Sequence, residues 1–132
     1  MTWGEVFVLF FVTHQFGDFL LQTDWQATHK GGGLSRSRVA RRALLSHTFT
    51  YSLTYCPALV WISTALGWQA LFIAAAVVIP HLVQDDGRLL RLYLLRVKGM
   101  EPSAHPTVAV LVDQALHMVA LFGAALLVTA LK

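Results

Sequence analysis

Hydrophobic positions along this chain gather into four long runs, at about residues 3–22, 43–66, 68–90 and 107–131. Each is close to the roughly 20 residues an α-helix needs to cross about 30 Å of hydrocarbon. The second and third runs meet at Gly67, which leaves room for a tight turn and no loop. Trp3, Trp61 and Trp68 lie toward the ends expected to be outermost, where interfacial aromatics belong. Gly31-Gly32-Gly33 is a flexible break, followed by Ser35 or Ser37 as a helix cap. A second break runs from Gly99 to Pro106, and Pro106 suits the first turn of the last helix. Pro57 and Pro80 fall inside spans and should kink them. The pattern predicts an all-α fold, a polytopic membrane bundle of four transmembrane helices forming one domain over residues 1–132.

Composition points the same way. Of the 132 residues 56% are apolar and 13% are charged, against about 25% charged in an ordinary soluble domain. A disordered chain and a highly charged nucleic-acid-binding domain are thereby excluded, and no nucleic-acid partner is expected. A single cysteine, Cys56, rules out an intrachain disulfide. The placement of charge says more than the net +3. Lys30, Arg36, Arg38, Arg41 and Arg42 lie between the first two spans, and Arg88, Arg91, Arg96 and Lys98 follow the third. Only Lys132 lies on the other side. The positive-inside rule then makes both basic loops cytoplasmic and both termini external. No basic stretch precedes the first span, so it does not read as a cleaved signal peptide.

Charged residues near the middle of a span cost roughly 2.5–3.5 kcal/mol each on insertion scales. Yet the spans hold His14, Asp18, His47, His81, Asp85, Asp113 and His117. His14/Asp18 and His81/Asp85 are spaced four apart, so each pair shares a helix face. Asp113/His117 has the same spacing in reverse order, on a helix that runs the opposite way. The histidine of each pair then lies about 15 Å deep and each aspartate about 9 Å deep, at 1.5 Å per residue, with His47 at a similar or slightly shallower depth. His14 to His81 and Asp18 to Asp85 are each 67 residues apart, and His47 to His117 is 70. Two helical hairpins related as a parallel internal repeat are therefore expected, with Ala43 where the second hairpin carries Asp113.

Interhelical hydrogen bonding alone is a weak reason for such a set, since these bonds average about 0.6 kcal/mol in membranes. Three carboxylates at one depth repel one another unless a cation or a proton intervenes. Four imidazoles beside them point to a divalent metal, zinc first and iron or manganese next, with seven ligands enough for one or two ions per chain. Gln22 extends the His14/Asp18 stripe and Arg88 follows Asp85 by three, so both are expected to face a substrate. Gln15, Gln114 and Asp86 are rotated away by roughly 100°, and His29 and His105 fall in loops.

His14-x-x-x-Asp18-Phe19-Leu20-x-Gln22, the lone His47, His81-x-x-x-Asp85-x-x-Arg88 and Asp113-Gln114-x-x-His117 resemble the signature of a bacterial integral-membrane family, domain-of-unknown-function family 3307. The resemblance spans nearly the whole chain and implies a bacterial inner-membrane location. Arg88 departs from it, standing where lysine is as common. The spacing is more distantly similar to that of small membrane proteins labelled metal-dependent hydrolases. That similarity implies hydrolysis of a lipid or lipid-linked phosphate or ester at the cytoplasmic side. Asp18, Asp85 or Asp113, whichever is not fully held as a ligand, would be the general base. Two other classes use the same residues: a proton or divalent-cation transporter, and a haem or di-iron redox protein. The outer halves, such as residues 71–78 and 119–127, are almost wholly apolar, which counts against a through-path in a monomer. Membrane lipids are the expected surroundings, and the wide lipid-facing surface leaves room for a homodimer.

Overall fold

The computed structural model describes residues 1–35 and 37–132; Arg36, one of the inner-loop cations, lies outside the described residues. Among the described residues the ordered structure is helical, with no strand. Helix α1 (Trp3–Gln15) runs on as a π-helical turn (Phe16–Leu21), followed by a short α2 (Asp24–His29). Helix α3 (Arg38–Leu66) leads through a 3₁₀ turn (Gly67–Gln69) into α4 (Ala70–Asp85). Helix α5 (Arg88–Arg96), a second 3₁₀ turn (Pro102–Ala104) and α6 (Pro106–Ala130) complete the chain.

Local chemistry sets these boundaries. Thr2 and Glu5 form a reciprocal capping box at the start of α1, as Thr23 and Gln26 do for α2. Ser37 Oγ accepts the Ala40 N–H at 3.3 Å, so α3 starts five residues before the expected position 43. The third apolar run does not stay one helix to residue 90. Gly87 takes a left-handed φ of +77°, which a Cβ would penalise, and α5 sets off in a new direction.

Three stretches are long and apolar enough to cross a membrane: Trp3–Leu21, Arg38–Asp85 and Pro106–Ala130. The middle one has 48 residues, about 72 Å if straight at 1.5 Å per residue. Instead the chain turns back at Gly67, whose φ is +58°, and α4 packs against α3. Helix α1 packs on α3 and α6, and α4 packs on both as well, so the four long helices close into a ring. Toward the Gly67 end the interior is apolar, filled by Val6, Phe10, Ala58, Ile62, Ile73, Val77, Leu121 and Ala125. Small residues such as Ala58, Ala124 and Ala125 let the helices approach closely. The outward faces are apolar too, with Val8, Phe49, Leu53, Val60, Leu71 and Val119 all exposed. Helices apolar all round belong in an apolar surrounding.

Gly17, in the π-helical turn, lies against α3. A Cβ there would meet Tyr51 Cδ2 at 2.7 Å and Thr54 Oγ1 at 3.3 Å. Gly17→Ala is therefore an overpacking change, expected to cost about 1–3 kcal/mol and to lower the thermal midpoint of the detergent-purified protein. Gly123→Ala, with nothing within 4 Å of its Cβ, should leave the midpoint unchanged or raise it.

Candidate metal centre

Below the apolar interior, all four long helices and the π-helical turn send polar side chains to one place. His14 comes from the last turn of α1 and Asp18 from the π-helical turn that follows. Single π-helical turns are frequent at functional sites because they re-aim side chains without ending the helix. His47 and Tyr51 share a face of α3, His81 and Asp85 a face of α4, and Asp113 and His117 a face of α6. His14, His47, His81 and His117 are all essentially inaccessible, and Asp18 and Asp85 are buried as well.

Asp18, His81, Asp85 and His117 each offer one ligand atom, and the four atoms lie within 4.8 Å of one another. That group can hold a metal ion. His47 joins it closely, with Nε2 at 2.9 Å from Asp85 Oδ2, 3.1 Å from His81 Nε2 and 3.3 Å from Asp18 Oδ1. His81 Nε2 is 3.2 Å from Asp85 Oδ2 and 3.7 Å from Asp18 Oδ1. His117 Nε2 is 3.5 Å from Asp85 Oδ1, and His14 Nε2 is 3.6 Å from Asp18 Oδ2. Ligands at about 2.0–2.2 Å from one tetrahedral ion stand roughly 3.3–3.6 Å from each other; these contacts span 2.9–3.7 Å, so the shortest of them would open slightly around an ion.

The outer ring nitrogens fix which lone pairs face inward. Tyr55 donates its hydroxyl to the Phe10 carbonyl at 2.9 Å, and Tyr51 donates to Tyr55 at 3.0 Å. The Tyr51 oxygen is then left to accept from His14 Nδ1–H, at 3.1 Å. His117 Nδ1 donates to the Asp113 backbone carbonyl at 2.9 Å. With the Gln22 amide turned so that its oxygen meets donors, that oxygen accepts from His47 Nδ1 at 3.2 Å and from Lys30 Nζ at 2.7 Å. His47 and His117 thus keep their proton on Nδ1 and turn an unprotonated Nε2 toward the carboxylates, whereas His14 Nε2 faces the Gln114 amide oxygen at 3.2 Å. Lone pairs facing lone pairs repel unless a cation sits between them. Asp18 Oδ1 and His117 Nε2 are buried without a hydrogen-bond partner, and so is the outer nitrogen of His81, Nδ1. The outer contacts are those that metal-bound histidines make with their second nitrogen.

Asp113 stands slightly apart. Its carboxylate is 3.7 Å from His117 Nδ1 and about one quarter exposed. It lines a cleft of about 220 Å³ with Lys30, Gly31, Gln84, Asp85 and Gly87. Arg88 turns its guanidinium onto Asp86, outside the cluster, and its side chain is mostly exposed. Asp86 is buried and holds the preceding loop: its backbone carbonyl accepts from Gly32 N–H at 2.8 Å and its Oδ1 from Leu34 N–H at 2.7 Å. His29, stacked on Trp25, and His105 are both exposed.

A family model described as Protein of unknown function (DUF3307) matches residues 6–132. The chain belongs to that family. No curated protein and no solved structure matches it.

Three residues of this DUF3307 chain are part of the site without having been singled out from the pattern. Lys30 Nζ lies 2.8 Å from Asp85 Oδ2. Nothing in its spacing marks it, because it arrives from a loop. Gln114 reaches His14 Nε2 at 3.2 Å despite its rotation from Asp113. Tyr51 is wholly buried, and its ring lies flat on His81, with centroids 3.4 Å apart and planes 4° from parallel. A signal for Tyr51 did exist: His47, Tyr51 and Tyr55 repeat every four residues.

Tyr51→Phe keeps the stacked ring but removes the oxygen that receives the His14 proton. It should weaken metal affinity 10–100-fold, as loss of such outer partners typically does. Competition against a chromophoric chelator measures this directly, and unchanged affinity would show that His14 needs no such support.

Proposed function

We propose that this chain is a four-span inner-membrane protein that holds one or two divalent ions, zinc first among them, and hydrolyses a lipid-linked phosphate or ester. The observation that carries the reading is the set of inward-facing Nε2 lone pairs and carboxylate oxygens at ligand spacing. It draws on four separate helices and on both halves of the chain. The halves meet the centre alike. His14 and His81 stand 3.6 and 3.2 Å from Oδ2 of Asp18 and Asp85, and His47 and His117 stand 3.3 and 3.5 Å from their Oδ1 atoms. That likeness supports the hairpins α1/α3 and α4/α6 as a parallel internal repeat, with α3 and α4 as separate spans. The basic residues cluster around the same end, which supports a cytoplasmic position for the centre.

Imidazole nitrogen with carboxylate oxygen, and no thiolate nearby, is the donor set of a hydrolytic zinc, iron or manganese site. When bound, the ion supplies Lewis acidity and an activated water at neutral pH. His14, His47, His81, His117, Asp18 and Asp85 would hold it. Asp113 would act as general base, since its carboxylate oxygens face the cleft and carry the fewest ties to the cluster. The packed end excludes bulk water and keeps the leaving group on the open side. Transport finds less support, because Phe10, Tyr51, Tyr55, Ile62 and Ile73 leave no accessible surface along the axis beyond the histidines. The surrounding lipid, and a second copy of the chain, are the partners that the apolar outer faces suit.

Metal content of the detergent-purified protein, read by mass spectrometry, is the test. At least one zinc, iron or manganese per chain is expected. His81→Ala and Asp85→Ala should each lower the content to about one tenth or less, and His105→Ala should retain it. Wild-type protein that stays metal-free after remetallation would overturn the reading. A metal-loaded protein would next be assayed for hydrolysis of phosphate and carboxylic esters.

A further inference from the structure

The cleft beside the cluster differs from the other hollows of the molecule. A hollow of about 480 Å³ between the π-helical turn and α3 is lined by Val12, Phe16, Leu21, Leu53 and Pro57 with three threonines and no charged residue. The smaller one, about 220 Å³, has the cluster's Asp85 and Asp113 on one side and Lys30 at its rim. Apart from Gln84 and two glycines, its remaining wall is apolar: Ala27 from α2, Leu90 from α5, and Ala109 and Val110 from α6. Pockets that enclose drug-sized molecules measure about 300–1,000 Å³. This one takes a small polar group and leaves the rest of a ligand outside, against Leu90 and the exposed Val110.

Charge decides which polar group fits. Asp18, Asp85 and Asp113 bring three negative charges to the site, and Lys30 brings one positive charge. One divalent ion makes the sum zero. Without Lys30 the same loaded site would be net negative and would repel an anion. Among the described residues, Lys30 is the lysine or arginine with a polar contact to the cluster, through Asp85 Oδ2 and the Gln22 amide oxygen. Its side chain is 17% exposed, on the cleft side. Arg88 is held instead by Asp86. The segment that carries Lys30 is anchored by backbone bonds to Asp86, so the ammonium has a fixed position rather than a freely swinging one.

We infer that Lys30 and this cleft form the recognition site for an anionic phosphate group carried on an apolar tail, with Lys30 as its charge partner. The inference rests on the metal-centre reading above and names the substrate class of that site. The phosphate would meet Lys30 Nζ from the cleft side, beside the 2.8 Å contact that Nζ makes with Asp85. The tail would leave between α5 and α6 along Leu90 and Val110, into the surrounding apolar phase.

The test uses the full chain, metal-loaded, in phosphatidylcholine nanodiscs, with metal content measured on every sample. Two probes are titrated: inorganic phosphate, and a short-chain phosphatidic acid that carries the same group on a tail. Wild type should bind the lipid. Lys30→Met should bind it at least about tenfold more weakly, the equivalent of losing one charge-assisted hydrogen bond. Lys30→Arg should stay within a few-fold of wild type, and Arg91→Met, an exposed charge outside the cleft, should match it. Phosphate binding as tightly as the lipid, with the same Lys30 dependence, would support the anion site and assign it to free phosphate. Equal binding by wild type and Lys30→Met would overturn the inference. So would loss of metal from both Lys30 variants, because Lys30 would then be part of the frame of the metal site. Metal-free wild type defeats the metal-centre reading, whereas a loaded wild type that binds neither probe defeats this inference alone.

Discussion

Two buried carboxylates govern this molecule. The side chains of Asp18 and Asp85 are 5% and 1% exposed, inside a ring of helices whose outer faces are also apolar. An isolated carboxylate in such a medium is far too costly to keep ionised, and a partly compensated one is little better. Much of the compensation has to come from other parts of the chain, and it does: His47 and His117 reach Asp85 from α3 and α6, His81 from its own helix, and Lys30 from a loop. The helix ring is therefore tied at one end by polar convergence and at the other by ordinary apolar packing. These two ends place different demands on the sequence. The apolar end tolerates exchange among residues of similar size. The polar end does not, because removing one partner strands the others.

The same constraint accounts for the short elements at the polar end. Helix α4 stops at Asp85, and the next two residues serve the loop above. Asp86 caps the Gly32–Leu34 backbone and Gly87 redirects the chain. That arrangement brings Lys30 over Asp85. Asp86 itself keeps helical backbone angles, and the change of direction falls at Gly87. Helix α2 does comparable work on the other side, where Gln26 reaches Ser46 at 3.3 Å and Ser46 bonds back to the Ala43 carbonyl at 3.0 Å. The polar end is closed by side-chain bonds to short helices rather than by one lid.

Much of this was legible in the residues, and for identifiable reasons. Period and length gave the long helices, because apolar runs of about 20 residues have few alternatives. Spacing of four gave the face-sharing pairs His14/Asp18, His81/Asp85 and Asp113/His117. His47 and His117, 70 residues apart, lie 3.3 and 3.5 Å from Asp18 and Asp85, but His47 also meets Asp85 and His81 as a close neighbour across helices α3 and α4. The loops were different. Lys30 looked like one more topogenic cation, since its role depends on where Asp86 holds its backbone and no periodicity encodes that. Asp86 does lie outside the cluster, as its rotation from Asp85 implied, but its hold on the loop backbone was not legible. Gln22 was expected to extend the stripe of α1, yet its backbone is extended, and its amide reaches the cluster from beyond the π-helical turn. Helical spacing identifies residues that share a helix and says little about those that arrive from its ends.

The inequality between the two halves bears on function more than their likeness does. Ala43 stands where the second half has Asp113, and it is wholly buried, beneath the bonds that tie Ser46 to α2. Asp113 instead keeps about one quarter of its side chain exposed and borders the cleft. A symmetric pair of aspartates would have given two open sides, or two uncompensated charges if both were closed. Alanine on one side lets that side be sealed at no electrostatic cost. Asp113 is then the aspartate of the set that a polar group can approach, through the cleft it shares with Lys30. Alanine at one position and aspartate at the other leave the polar end sealed beside α2 and open beside Lys30.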